Sequence, residues 1–402
     1  MITKETIKQE AGTIFPVLVD IRRHIHRHPE LSFQETETAR YISKVLTDSG
    51  IVHETGIGGN GIVALIKGNN PHKKTVALRA DMDALPITEE NSVDYRSENP
   101  GVMHACGHDV HTASLLGSAI ILNKLKHEFE GTFKLIFQPA EENLPGGAIQ
   151  MIKEGVLNNP APDSIIGQHV FPEMEVGKVG FKSGMYMASS DEINLYIKGK
   201  GGHAAIPNKS DDTVLAAAQI IVALQKIASR NAAPAIPTVL SFGKITGNGA
   251  HNVFPAEVTV HGTFRTFNEA WRMEAHTLIT KTAKLTAEAF GVTCEVVIDK
   301  GYPFLVNNDE ITRQAKEAAI EYLGKENVEE LEIRMTVEDF AYFAQQVPAC
   351  FYRLGTANIS KGIQSNLHTL TFDVDEKSIE IGTGLMAWIA LKQLGEDLEK
   401  GR

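Results

Sequence analysis

Cysteine is scarce in this 402-residue chain. There are three, Cys106, Cys294 and Cys350, an odd number set far apart. That argues against a disulfide framework and fits a reducing compartment. Long apolar runs are missing too. A membrane span needs about 20 such residues, and the longest candidate, Ala113 to Leu122, is interrupted by Ser114, Gly117 and Ser118. No membrane partner is expected. The first residues, Met1 to Glu10, carry charges of both signs and no apolar core, so no signal peptide is expected and the location is expected to be cytoplasmic. Positive charge is in deficit: 39 Lys and Arg against 50 Asp and Glu leave a formal net charge of −11. That disfavours nucleic acid as a partner. It leaves room for an anionic small molecule, because a few local Arg or His residues suffice to bind one carboxylate. Internal repeats and low-complexity segments are absent.

What is present suits a soluble globular protein, with 43% hydrophobic and 22% charged residues. A chain this long exceeds what a single core usually serves, so two domains are expected. Apolar spacing predicts helices over about 5–27 and 35–49, the second stopping at Gly50. Strand-like runs follow at 61–67, 75–79 and 132–138, with a helix over roughly 108–126 between the last two and a short buried strand at 165–167. This alternation points to an α/β sheet with helices on its faces. Near Ser190 the pattern changes. A half-exposed strand with Ile193, Leu195 and Ile197 precedes a helix (about 211–230), strands at 238–245 and 253–265, a helix (about 268–290) and a strand at 293–300. That order, βαββαβ, is the ferredoxin-like unit. The expected organisation is therefore 1–189 and 303–402 as one domain, with 190–302 inserted.

The chemistry-bearing residues fall in four places. His104-Ala-Cys106-Gly-His108-Asp109 sets a thiol and an imidazole two residues apart, and in extended backbone both can reach one site. Thiolate and imidazole are good ligands for zinc and similar divalent metals. Taken alone, the pair serves equally as a buried Cys beside a capping His. Gln138-Pro-Ala-Glu141-Glu142 places adjacent carboxylates at a strand's carboxyl end, where open α/β sheets build their sites. In a turn the two diverge, so one can bind metal while the other acts as a base beside a metal-held water. Any Glu-Glu pair by itself is more commonly a solvated acidic turn. His169 follows an apolar strand and His368 lies near the C-terminus. A lone His is more often structural. Jointly, these residues make a five-ligand set with a spare carboxylate.

With these motifs in view, the chain resembles the M20 metallopeptidase family. Within it, the likeness is to the amidohydrolase branch of N-acyl-amino-acid amidohydrolases, hippurate hydrolases and auxin-conjugate hydrolases. The matching segments are Arg23-His-Ile-His-Arg-His-Pro-Glu-Leu-Ser-Phe, Arg79-Ala-Asp-Met-Asp-Ala-Leu-Pro, Met103-His-Ala-Cys-Gly-His-Asp, Phe137-Gln-Pro-Ala-Glu-Glu, Gly201-Gly-His-Ala-Ala-Ile-Pro, Gly262-Thr-Phe-Arg and Glu338-Asp-Phe. They span about residues 20–375. The resemblance implies a catalytic domain with a mixed sheet flanked by helices, and makes 190–302 a lid and dimerisation domain. It implies two divalent ions, Mn or Zn, held by Cys106 as the bridging ligand with His108, Glu142, His169 and His368. Glu141 would be the general base, His203 would stabilise the oxyanion, and Asn252 and Arg265 would hold the substrate carboxylate. An Arg fork suits that task because it pairs bidentately. The implied substrate is an N-acyl amino acid, and the implied state a homodimer through the lid.

Rival readings are a dipeptidase or aminopeptidase of the same fold, or a dimeric binding protein whose catalysis is lost. The second requires a broken ligand set, and all five positions and Glu141 are present. A redox role for Cys106 lacks a resolving Cys nearby. Several tempting residues read as structural: His24, His26 and His28 as surface or packing, and His104 and His111 as flanking the ligands. Gly58 to Gly61 reads as a turn, and Cys294 and Cys350 as core. Asp83 reads as an orienter of a ligand histidine. A thiolate ligand favours softer ions, which suits zinc.

Overall fold

Helix α1 (Lys4–Arg27) opens the chain, capped by the Thr3 hydroxyl on the Thr6 N–H. It buries Ile7, Ala11, Leu18, Ile21 and Ile25 along one stripe. The computed structural model describes residues 2–395. After α1 come α2 (Thr36–Asp48), β1 (His53–Ile57), β2 (Gly61–Lys67), β3 (Thr75–Asp81) and α3 (His108–Lys124). Next are β4 (Thr132–Gln138), α4 (Gly147–Lys153), β5 (Ser164–Glu175), β6 (Val179–Phe181) and β7 (Gly184–Met187). The middle of the chain forms β8 (Asp191–Lys198), β9 (Gly202–His203), α5 (Thr213–Lys226), β10 (Thr238–Gly247), β11 (Val253–Phe254), β12 (Glu257–Thr266), α6 (Glu269–Ala289) and β13 (Thr293–Lys300). The last part supplies β14 (Leu305–Asn307), α7 (Asp309–Leu323), β15 (Val328–Glu330), α8 (Ala341–Ala344), β16 (Ala349–Ala357) and α9 (Lys377–Gln393).

These elements fall into two units. The first comprises Met1–Tyr186, Val306–Ile333 and Asp339–Arg402; the second comprises Met187–Leu305 and Arg334–Glu338. The boundaries lie three residues from the expected ones, and a five-residue piece, 334–338, groups with the inserted unit.

The first unit is built on an eight-stranded mixed sheet in the order β1-β2-β4-β3-β5-β16-β6-β15. Its middle is parallel: β3 pairs with β4 and β5, and β5 with β16. Strands β3 and β4 are buried at every position, as expected of a parallel sheet covered on both faces. Helix α3 is buried nearly all round and packs against α1 and α9. Its start is fixed by a buried charge cluster. Asp109, in the first turn, accepts from Arg22 Nε at 2.7 Å and lies 2.7 Å from His26 Nδ1. The Arg22 and His26 charges overcome the burial that would raise its pKa and hold the Asp109 carboxyl far below the usual range. Of the two readings of His26, surface or packing, the second holds: it is a buried member of an ion-pair cluster.

The second unit carries the four-stranded antiparallel sheet β10-β12-β8-β13 and its own core, including Ile193, Leu195, Ile197, Ile220, Leu224, Val260 and Ile279. With α5 and α6 this is the βαββαβ arrangement. Segment Thr213–Asn231 is long and apolar enough, by length and composition, to cross a membrane. Ala216, Ala217, Ile220, Leu224 and Ile227 of that segment fill the core instead.

Two expectations need correction. The single strand at 253–265 is two, β11 and β12, separated at Pro255, which has no N–H for a ladder. The short strand at 165–167 is the 12-residue β5, so His169 lies inside a strand and not after one. Polar Gln168 and His169 break the apolar run, yet both are buried because each has an interior partner. The Gln168 Oε1 accepts from the Tyr352 hydroxyl, and His169 Nδ1 bonds the Val170 carbonyl.

Candidate active site

The parallel strands end along one edge of the sheet. Asp81 at the end of β3 pairs in register with Gln138 at the end of β4, and Arg79 with Gly167 of β5. This edge gathers the predicted ligands of the first unit. Cys106 and His108 flank Gly107, whose φ of 79° turns the chain into α3. A Cβ on Gly107 would stand 2.5 Å from Val170 Cγ2. Gly107→Ala is therefore expected to cost about 2–4 kcal/mol, from a left-handed alanine plus overpacking. The cost is read from urea unfolding of the metal-free protein, and metal uptake should weaken with it.

Five groups of three possible donors occur among the described residues, and two of them contain Cys106. Cys106, His108 and His169 bring their ligand atoms within 4.8 Å of one another, and so do Cys106, Glu142 and His368. Cys106 belongs to both. Its Sγ lies 3.5 Å from His169 Nε2, His108 Nε2 lies 3.8 Å from Glu142 Oε1, and His368 Nε2 lies 3.3 Å from the same oxygen. The buried atoms His108 Nε2 and Glu142 Oε1 have no hydrogen-bond partner. Buried polar atoms are rarely left so, and both are aimed inward.

The outer bonds select which nitrogen faces the cluster. His108 Nδ1 lies 3.1 Å from Asp83 Oδ1, and His169 Nδ1 lies 2.7 Å from the Val170 carbonyl oxygen. With each Nδ1 engaged by an outward partner, each Nε2 is the nitrogen that faces the shared space. Asp83 does more: its Oδ2 accepts from the Glu142 N–H at 3.0 Å and from the Ser32 hydroxyl at 2.6 Å. One carboxylate thus ties together the segments bearing two ligands. His111 is fixed between Asp81 Oδ1 (2.6 Å) and the Val170 N–H (2.8 Å), so it serves as a brace.

The electrostatics match a cation site. Burial alone would discharge His108, but Asp81, Asp83 and Glu142 outweigh it and raise the imidazole to about 10. Burial, with Glu142 and Glu141 nearby, pushes the Cys106 thiol well up. Burial drives His169 well down, and His104 down to about 3. The carboxylates around His108 and Cys106 favour positive charge there, which a divalent cation would supply, while the neutral His169 keeps its ring nitrogen free to bind one. Donor set, orphaned atoms and charge all fit a divalent metal site.

Glu141 is buried, and its Oε1 accepts from the Asp339 N–H at 3.3 Å. The Asp339 carboxylate accepts from Arg79, Gln138 and the Ala148 N–H at 2.8–3.0 Å. Arg79 continues to Asp81 at 2.6 Å. A buried charged chain therefore runs from the His111 brace to the amide that orients Glu141. His368 has a φ of 60°, and its N–H donates to the Ala105 carbonyl at 2.9 Å. That bond pins its segment to the Cys106 loop.

In the second unit, β9 and β11 pair so that His203 stands opposite Val253, and the Ala204 N–H donates to the Asn252 carbonyl at 2.9 Å. His203 and Asn252 are exposed neighbours. Arg265, on β12, donates to the Met335 carbonyl.

The model of peptidase family M20/M25/M40 matches residues 77–392. The chain belongs to that family. An N-acyl-L-amino acid amidohydrolase of Geobacillus stearothermophilus is 42% identical over 309 residues, covering 77% of this chain and 83% of that protein. Thermostable carboxypeptidase 2 of Saccharolobus solfataricus is 37% identical over 391 residues, covering 96% and 98%. A crystal structure of a dinuclear metal-binding M20 peptidase from Bacillus subtilis superposes with a TM-score of 0.80 at 33% identity, covering 96% of this chain and 99% of that one. This M20 protein is accordingly a hydrolase, with metal-ligand clusters at the edge of its large sheet.

Proposed function

We propose that this M20 hydrolase cleaves the amide bond of N-acyl amino acids, releasing a free amino acid and a carboxylic acid. The observation that carries the reading is the pair of donor clusters sharing Cys106, with the Glu141 carboxylate beside them. The similar proteins named above support the substrate class. An N-acyl amino acid and a peptide cut at its C-terminus both have an amide bond followed by a free carboxylate.

In this reading Cys106, His108, Glu142, His169 and His368 would hold two divalent ions. Such ions, Mn or Zn, would supply Lewis acidity at the site and make a water easier to deprotonate. Glu141 takes a proton from the attacking water and delivers it to the leaving amine. His203 opposes the developing oxyanion charge. Asn252 and Arg265 hold the substrate carboxylate, for which a guanidinium fork is suited. The second unit acts as lid and as dimer contact, and the protein works in the cytoplasm.

A substrate panel tests this. N-acetyl amino acids, N-benzoylglycine and unblocked dipeptides are each incubated with the manganese- or zinc-loaded protein, with and without chelator. The expected result is chelator-sensitive amino-acid release from the acylated compounds. Release from the unblocked dipeptides alone would move the assignment to a dipeptidase.

A further inference from the structure

Ala140, immediately before Glu141, has a φ of 50°, a left-handed conformation that a residue with a Cβ adopts at a cost. Its N–H donates to Glu35 Oε1 at 2.7 Å, and its carbonyl accepts from the Gly147 N–H at 2.9 Å. The same Glu35 oxygen accepts from the N–H of Phe33 at 2.9 Å, another left-handed residue at φ 68°. The second oxygen accepts from Asn60 Nδ2 at 3.1 Å. Glu35 is fully buried, with Ala140 beside it.

The position of Glu35 makes this use unusual. It is the residue before α2, where a side chain normally caps the helix. Its carboxylate makes no such bond. Glu30 does the capping, accepting from the N–H groups of Glu37 (3.2 Å) and Thr38 (2.8 Å). With α2 already capped, the Glu35 side chain turns inward to the 139–147 loop.

That loop has to send two successive side chains to different places. The Glu142 N–H is anchored by Asp83, and the Glu141 carboxylate by the Asp339 N–H. The backbone entering the pair is anchored at Ala140. Burying a carboxylate is costly unless its acceptors are used, and here they are used on the amides that shape this entry.

We propose that Glu35 is a positioning residue for the Glu141–Glu142 pair: by holding the Ala140 N–H it keeps the loop in the one conformation that aims Glu141 at the reacting water and Glu142 at the metal cluster. The catalytic half of this inference rests on the hydrolytic reading above.

Two conservative variants separate reach from charge. Glu35→Asp keeps the charge but withdraws the acceptor by one methylene. Glu35→Gln keeps the reach and loses the charge: its oxygen keeps the Ala140 and Phe33 amides, and its NH2 takes the Asn60 contact once that amide turns its oxygen inward. Each full-length variant is loaded with zinc or manganese. Loss of metal to a chromophoric chelator is then followed, together with kcat and KM on the best acylated substrate. E35D should lose about 10- to 100-fold in kcat with little change in KM, and release metal faster by a similar factor. E35Q should stay near wild type in both. The proposal is overturned if E35D matches wild type, or if E35Q is impaired as badly as E35D. A lowered thermal midpoint in E35D with unchanged kcat and metal release also overturns it, leaving Glu35 a purely structural residue. If the wild-type protein hydrolyses no acylated amino acid, the hydrolytic reading falls, while the metal-release comparison still decides the positioning of Glu142.

Discussion

Replacing Glu141 with Gln is expected to lower kcat on an N-acyl amino acid by about 10²–10⁴-fold, the usual worth of a positioned general base, with metal content unchanged. The geometry makes this a clean substitution. Glu141 is buried, and its Oε1 accepts the Asp339 N–H, a bond that a Gln carbonyl accepts equally well. Asp339 itself is held by Arg79, Gln138 and Ala148, so the segment has little freedom to shift. What Gln lacks is the ability to take a proton. KM should therefore move little, because the interaction removed is needed at the transition state and not for ground-state binding. Metal content of the purified variant, measured by mass spectrometry, decides between base and ligand. The question is real, because Glu141, Glu142 and His108 offer ligand atoms within 4.8 Å of one another. Loss of kcat that tracks loss of an ion would make Glu141 a ligand, and a wild-type kcat would remove it from the chemistry.

The parts of this site legible in the sequence are those written locally. Cys106 and His108 sit two apart around a glycine, and Glu141-Glu142 follows an apolar strand; spacing and strand-end position make them candidates, and the joint count and the family likeness decide between these and the bland readings. Gathering His169 and His368 with them depended on the joint count and the family likeness, since neither histidine has a local pattern of its own. The βαββαβ order of the second unit was readable because its strands alternate and its helices keep helical spacing. Of the supporting residues, Asp83 was legible from its motif at a strand end, and it does meet His108 Nδ1; the others were not. Glu35 lies 105 residues from Ala140, and Arg79 lies 260 from Asp339, and no periodicity connects such pairs. His24, His26 and His28 read as surface or packing residues, and the sequence does not tell the two apart; Arg22, Asp109 and Glu89 enclose His26. β5 was shortened because a buried polar residue looks like a strand end until its partner is known.

Cys106→Ala should abolish activity and reduce the bound ions by more than the roughly 10- to 100-fold affinity cost of losing an outer-sphere partner. Cys106 is the one residue common to both clusters, so its removal leaves His108 and His169 as a two-donor remnant on one side and Glu142 and His368 on the other. Cys106→Asp tests the role more finely. A carboxylate can also serve two ions, but it is a harder donor. C106D should regain part of the binding and shift preference from zinc toward manganese, measured after dialysis against equimolar amounts of both. The proton balance gives a second reading. Burial and the neighbouring Glu142 and Glu141 raise the metal-free Cys106 thiol well above its ordinary value, so uptake of an ion must expel that proton. Wild-type affinity should therefore climb as pH rises toward the raised thiol value. In C106D the slope should be shallower, because an Asp has less far to go to lose its proton. Calorimetric titrations in buffers of different ionisation enthalpy measure the protons released. A C106A variant that keeps both ions, or a wild-type protein that releases no proton on binding, would end the assignment of Cys106 as the shared ligand.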